Sequence, residues 1–252
     1  MLELRSVARR FGGMKAVDGV SLTVQRGEIA GLIGPNGAGK TTLFNLVAGS
    51  LAPGGGAILL DGQPIEYEPA HRRLARGLGR TFQIPRPFPE MSVLENLLVA
   101  ARQQAGENIW PNFLAPRRIA AEEKRNIEKA RELLAFVTLD RLADQPARIL
   151  SGGQRKLLEL ARVMMAKPRL ILLDEPAAGV NAQLLDTIVA RILDINRRGV
   201  TLLIIEHNMD VIIRLCARVF VMAEGRLLAE GAPRDIARDP RVIEAYLGRT
   251  AA

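Results

Sequence analysis

The strongest chemical signal in the chain is "GPNGAGKTT", Gly34 to Thr42, which follows a short apolar run and opens a helical pattern. Its spacing is that of a phosphate-binding loop, G-x-x-x-x-G-K-[ST]. Gly34, Gly37 and Gly39, with Asn36 between them, let backbone N–H groups close around a phosphate chain. Lys40 reaches the outer phosphates, and the Thr41 hydroxyl, followed by Thr42, is placed to bind Mg²⁺. A second apolar run, "LILLDE", ends in two acids. Asp174 at the end of such a strand can hold Mg²⁺ beside the loop. Glu175, one position further on, can polarise an attacking water as general base.

Three other stretches extend this chemistry. His207 closes the apolar run in "LLIIEHNM", where an imidazole can donate a hydrogen bond to a terminal phosphate. Gln83, in "GRTFQIPRPFPEMSVLENL", offers a neutral amide to Mg²⁺ or its water, with a buried structural amide as the competing reading. The stretch "LSGGQ" places Ser151 as a helix N-cap, with Gly152 and Gly153 just inside it and Gln154 next. The glycines leave the first N–H groups of that helix uncovered, which makes a second anion-binding start. One chain therefore carries two phosphate-binding elements.

The elements that must position these residues are legible as patterns. "EIAGLIG" (28–34), "RLILLDE" (169–175) and "VTLLIIE" (200–206) are nearly continuous apolar runs, as expected of parallel strands buried on both faces. Helical patterns follow them, including one over 184–195, so the core is α/β with ligands at the strand C-terminal ends. Residues 1–27 and 56–65 alternate and contain the turn signal Asp61-Gly62, which predicts a small antiparallel sheet at one edge. Residues 92–166 read as almost wholly helical: "SVLENLLVAARQQ", then "AAEEKRNIEKARELLAFV", then the helix opened by Ser151. On its polar face that helix carries Arg155, Glu159 and Arg162. A Pro-broken loop with Trp110 separates the first two helices. The reading is one domain over 1–252, in which 1–91 and 167–252 form the α/β core and 92–166 a helical insertion.

Composition narrows the function classes. The 252 residues, 48% hydrophobic and 25% charged, suit an ordinary globular core. No apolar run approaches the ~18 residues of a membrane span, so a cytoplasmic location is expected. The net charge is +8, but the basic residues are interleaved with acids, a solvated-face pattern that gives no reason to expect nucleic-acid binding. The single cysteine, Cys216, lies in "VIIRLCARVFVM", read here as an apolar helical pattern; it excludes a disulfide framework or a Cys-rich zinc module.

The order "GPNGAGKTT", Gln83, "LSGGQ", "LILLDE", His207 resembles that of the ATP-binding cassette (ABC) ATPases across nearly the whole chain. The resemblance implies a P-loop fold with a mainly parallel sheet, an antiparallel β subdomain and an inserted helical subdomain. It implies ATP and Mg²⁺ as cofactors, with Lys40, Gln83, Glu175 and His207 catalytic and Thr41, Gln83 and Asp174 around the metal. It also implies that Phe11, in "ARRFGG", stacks on adenine, although a core phenylalanine would give the same pattern. Above all it implies two subunits packed head to tail, with Ser151, Gly152, Gly153 and Gln154 of one closing the nucleotide site of the other. One departure stands out: Asn181, in "PAAGVN", occupies a position where the family usually has aspartate.

Within that family, "RFGGMKAVDGVSL", "RTFQIPRPFPEMSVLENLLVA", "DEPAAGVN", "IEHNMDVI" and "DPRVIEAYLG" resemble the ATP-binding subunits of branched-chain amino-acid importers. Urea or amide uptake and lipopolysaccharide export are the neighbouring possibilities. This resemblance implies a second cassette, identical or not, membrane permease subunits contacted through Gln83 to Leu98, and an extracytoplasmic binding protein. The chain would then lie on the inner face of the cell membrane. A soluble cassette acting on nucleic acid fits poorly, because Lys40 and Ser151 are too close in sequence to enclose a long coiled coil.

Overall fold

The computed structural model describes residues 1–102, 104 and 116–247. Trp110 lies outside the described residues. The chain forms two compact units: Met1–Gln83 with Pro168–Ala178 and Asp186–Ala252, and Ile84–Lys167 with Gly179–Leu185. Residues 84–91 and 179–185 thus fall with the helices, whereas the sequence pattern puts the divisions at 92 and 166.

The first unit holds two sheets. Strands β1 (Leu2–Phe11), β2 (Met14–Val24), β4 (Gly55–Leu60) and β5 (Gln63–Pro64) form an antiparallel sheet in the order β2-β1-β4-β5. Asp61 and Gly62, both with positive φ, make the tight turn between β4 and β5 that the Asp-Gly pair predicts. The other sheet runs β10-β9-β3-β8-β7-β6, from β3 (Ile29–Ile33), β6 (Leu78–Arg80), β7 (Leu170–Asp174), β8 (Thr201–Ile205), β9 (Arg218–Ala223) and β10 (Arg226–Gly231). Its strands pair in parallel except for the β9–β10 hairpin. Every residue of β3, β7 and β8 is buried, which explains their unbroken apolar sequences. The C-terminal ends of β3, β8, β7 and β6 lie side by side, and a loop bearing a candidate residue leaves each of them.

Helices α1 (Lys40–Ala48) and α2 (Ala70–Ala75) belong to this unit. In the second unit α3 (Val93–Leu98), α4 (Pro116–Phe136) and α5 (Gly152–Met165) pack on one another. The chain continues through α6 (Ala182–Arg197), α7 (Met209–Leu215), α8 (Pro233–Ile236) and α9 (Pro240–Leu247).

Two expectations need correction. "VIIRLCARVFVM" is not one helix: α7 ends at Leu215, and Arg218 onward is β9. A short apolar run buried on all sides has no periodicity to separate strand from helix. Cys216 lies between the two elements, packed against Gly31, and burial pushes its thiol up to about 12. Glu159, expected on the polar face of α5, is buried, where Arg162 bonds it at 2.8 Å and desolvation raises its pKa.

One buried cation fixes the far end of the loop-bearing helix. The last carbonyls of α1 lack intrahelical donors. Arg73, 1% exposed, donates to two of them, Leu46 O at 2.6 Å and Val47 O at 2.8 Å, and to Glu66 O and Glu68 O, each at 2.8 Å. Gly49 must be glycine there, since its φ is +79° and a Cβ would lie 2.7 Å from Arg73 Nε. Replacing Arg73 with Met keeps the volume and removes a donor from each of four carbonyls, of which Leu46 O keeps the Gly49 N–H. We expect a loss of at least about 3 kcal/mol in urea unfolding, with α1 and its loop loosening first in hydrogen exchange.

Candidate functional site

The loop after β3 is shaped by two close approaches of backbone. A Cβ on Gly34 would sit 2.1 Å from Met222 O, and one on Gly39 2.2 Å from Ala16 O. Any larger residue would have to move a neighbouring strand. Gly37 instead supplies a turn with φ +79°. Gly39 caps α1 with no side-chain bond, so the N–H groups of its first turn stay open toward an anion. Lys40 is buried and folds back over the loop, donating to Gly34 O at 2.7 Å and Pro35 O at 2.9 Å. Burial lowers its pKa, and the charges of Glu175 and Asp174 act in the opposite sense. A cavity of about 650 Å³ opens here, lined among others by Asn36, Gly37, Gly39, Lys40, Thr41, Thr42, Gln83, Glu175 and His207.

Glu175 is the point on which this cavity converges. Its backbone is left-handed, φ +48°, a conformation a non-glycine residue holds only when its surroundings impose it. Its N–H is tied to Ile205 O at 2.9 Å. One carboxylate oxygen accepts from Gln83 Nε2 at 2.7 Å, and the other pairs with His207 Nε2 at 2.9 Å. Three residues from the ends of β6, β7 and β8 thus meet at one carboxylate. Asp174, 6% exposed, donates its N–H to Thr81 Oγ1 at 3.3 Å. The oxygens of Asp174, Thr41 and Gln83 are the hard donors Mg²⁺ takes, and a single carboxylate suits an ion that keeps water and phosphate in its shell.

Glu206 is a residue the sequence reading missed. It is 3% exposed, and it accepts from Ala177 N–H at 2.7 Å, His207 N–H at 3.1 Å and Asn208 N–H at 3.4 Å. It therefore pins the loop after Glu175 to the turn that carries His207. The only sequence signal was an acid at the end of a buried strand. Met14 and Lys15 also line the cavity, whereas Phe11 does not; its half-exposed ring carries Arg9 at 5.2 Å.

In the second unit, the helix start is closed on itself. Ser151 Oγ accepts from Gln154 N–H at 3.3 Å, and Gln154 Oε1 accepts from Ser151 N–H at 2.9 Å. The N–H groups are thus less open than the Ser-Gly-Gly sequence suggested, although the Ser151 hydroxyl keeps its own proton as a donor. Gly152 has open space where a Cβ would be. A Cβ on Gly153 would overlap Leu184, so that glycine serves packing. Asn181 Oδ1 accepts from Leu184 N–H at 3.0 Å, which caps the start of α6 as an aspartate would.

A family model described as "ABC transporter" matches residues 17–178, and one described as "Branched-chain amino acid ATP-binding cassette transporter" matches 226–252. The chain is 42% identical to the probable branched-chain amino acid transport ATP-binding protein LivG of Archaeoglobus fulgidus, over 98% of this chain and 95% of the relative. It is 41% identical to the high-affinity branched-chain amino acid transport ATP-binding protein BraF of Pseudomonas aeruginosa, over 98% of both. A nucleotide-free ATP-binding cassette from an ABC transporter superposes with a TM-score of 0.86 at 37% identity, over 99% of both chains.

The convergence on Glu175 generates a prediction. Glu175→Gln and His207→Ala should each retain nucleotide binding within about threefold while turnover falls at least about 100-fold, the scale of losing a positioned proton-transfer group. Fluorescent-nucleotide binding and phosphate release measured on the same preparations separate the two effects.

Proposed function

The chain belongs to the ABC transporter family of ATP-binding cassettes, and from that premise we propose that it is the ATP-hydrolysing subunit of a branched-chain amino-acid importer. Identity of about 40% along the full chain to proteins named for that transport supports the substrate class, and so does the match at its C-terminal end. The relatives compared above do not favour the neighbouring readings, urea or amide uptake and lipopolysaccharide export.

In the proposed mechanism the open N–H groups of the loop and Lys40 hold the phosphates. Asp174, Thr41 and Gln83 would hold Mg²⁺, which when bound would neutralise charge on the transferring phosphoryl group. Glu175 accepts the proton of the attacking water. The bond to His207 Nε2 aims one carboxylate oxygen and the Gln83 amide aims the other, so neither needs to search for its geometry during turnover. Phe11 is proposed as the adenine platform.

The half-site at Ser151 is proposed to act on a second cassette, identical or not, whose nucleotide it closes over. No helix among the described residues is long and apolar enough to cross a membrane. Contact with separate membrane subunits is assigned to the exposed apolar side chains of Ile84, Phe88 and Met91 on the second unit. The segment bearing them is held in place. Asn96, fully buried, accepts from Phe88 N–H at 2.8 Å and donates to Phe88 O at 3.0 Å and Ser92 O at 2.9 Å. Two backbone bonds, Ala147 N–H to Met91 O and Arg148 N–H to Pro89 O, tie the segment to the strand of chain leading into Ser151. Movement of the segment would therefore carry the half-site with it.

Two experiments test this reading. With Glu175→Gln to slow hydrolysis, light scattering should show an ATP-dependent dimer, alone or after adding the second cassette. Adding Ser151→Asp, which keeps a good N-cap but turns a carboxylate toward the phosphates, should abolish the dimer and leave ATP binding intact. A monomer under all conditions refutes the two-half-site arrangement. Separately, Phe88→Glu should leave the ATPase activity of the isolated subunit unchanged and prevent assembly with the membrane subunits; intact ATP-driven uptake of leucine in reconstituted vesicles would sink the docking assignment.

A further inference from the structure

Four consecutive residues, Arg80-Thr81-Phe82-Gln83, run alongside Asp174-Glu175, and three of them bond to those two acids. The register explains why: β6 pairs in parallel with β7, Arg80 opposite Leu172, and Thr81 N–H continues the ladder to Leu172 O at 2.9 Å. Thr81 then reaches the backbone of Asp174, and Gln83 the side chain of Glu175. Arg80 reaches the carboxylate of Asp174, with Nη2 3.4 Å from Oδ2, and both side chains are nearly buried, 11% and 6% exposed.

The guanidinium is held elsewhere more tightly than by that carboxylate. Arg80 Nη1 donates to Asn45 Oδ1 at 2.6 Å, on the helix that Lys40 opens, and the guanidinium lies 5.5 Å from the Phe82 ring centroid. Its Nε is buried and makes no hydrogen bond. Lys40 also feels the charge of Asp174, but its ammonium is committed to the carbonyls of Gly34 and Pro35. The long 3.4 Å contact, beside a short bond to Asn45, makes Arg80 a fixed charge near Asp174 more than a hydrogen-bond donor to it.

We propose that Arg80 is the resident counter-ion of the metal-binding carboxylate. It balances Asp174 while no metal is bound, since a buried carboxylate without a cation is costly. Anchored through Asn45, it cannot withdraw far when a dication arrives, so it opposes Mg²⁺ and keeps metal affinity low until nucleotide phosphates supply the remaining oxygens. The ion then enters with the nucleotide and not before it. Arg80 is a positioning residue; it touches neither substrate nor the reacting atoms. The proposal rests on the reading of Asp174 as the metal-holding acid.

The test is a Mg²⁺ titration by calorimetry, on the nucleotide-free subunit and with ADP at saturation. Arg80→Met and Arg80→Gln remove the charge, and the Gln side chain retains an amide to help the site fold. Each should bind Mg²⁺ at least about tenfold more tightly than the unaltered protein under both conditions, the lower end of what one opposite charge at this distance does to a carboxylate. Arg80→Lys keeps the charge without the fork and should retain the original affinity. Asp174→Asn separates the two failures. If it leaves Mg²⁺ binding with ADP unchanged, Asp174 is not the metal ligand and the underlying reading fails. If it weakens binding while the neutral Arg80 variants bind Mg²⁺ as before or more weakly, the counter-ion proposal is overturned.

Discussion

Backbone N–H groups can grip a phosphate only if the chain passes closer to its neighbours than any side chain permits, and that constraint organises the first unit. Gly34 lies under the carbonyl of Met222 on β9, and Gly39 under that of Ala16 on β2. The loop is therefore wedged between a strand of each sheet, and its shape is imposed by both. Behind it, Arg73 holds the C-terminal carbonyls of α1. The helix whose open end faces the anion is thus fixed at both ends, by packing at one and by a buried cation at the other. Preorganisation of this kind matters because the donors then need not reorganise when charge arrives.

The parallel sheet does the rest. Because β6, β7 and β8 run in the same direction as β3, everything at their C-terminal ends is delivered to the same edge. Asp174, the last residue of β7, is still in the ladder and buried, which suits a metal ligand that must not wander. Glu175, one residue on, has left the ladder and turned left-handed. One position separates a fixed carboxylate from an aimed one, and the loop that aims it is itself held by Glu206.

Much of this was legible in the sequence because it is local. The phosphate loop, the acid pair and the three buried strands each announce themselves within ten residues, and the Asp-Gly turn within two. What was not legible depends on distant backbone. Arg73 bonds carbonyls of α1, and nothing around "AHRRLAR" indicates them. Glu206 is a buried acid whose three partners are N–H groups, which carry no residue type to be read. Glu159 was assigned to solvent by helical periodicity, yet the helix is buried further round than a simple two-faced pattern allows. The strand β9 was hidden because "RVFVM" continues the apolar run of α7, and its pairing with β3 and β10 is what distinguishes it.

The two helix starts proposed to meet phosphate differ in a way that bears on their proposed roles. The start at Gly39 has no side-chain cap, so its N–H groups are available to an anion at all times. The start at Ser151 is already satisfied by the reciprocal bonds with Gln154, and it loses nothing by standing alone. A half-site that must exist in a separate subunit, exposed to water between cycles, benefits from being complete in itself. Under the proposed role, what it offers a neighbour's phosphate is the Ser151 hydroxyl and the bare backbone at Gly152, where a Cβ would meet nothing in this chain. Under the proposed roles, the first site binds and the second closes on something already bound. The difference in helix capping supports that division without any contact between two subunits.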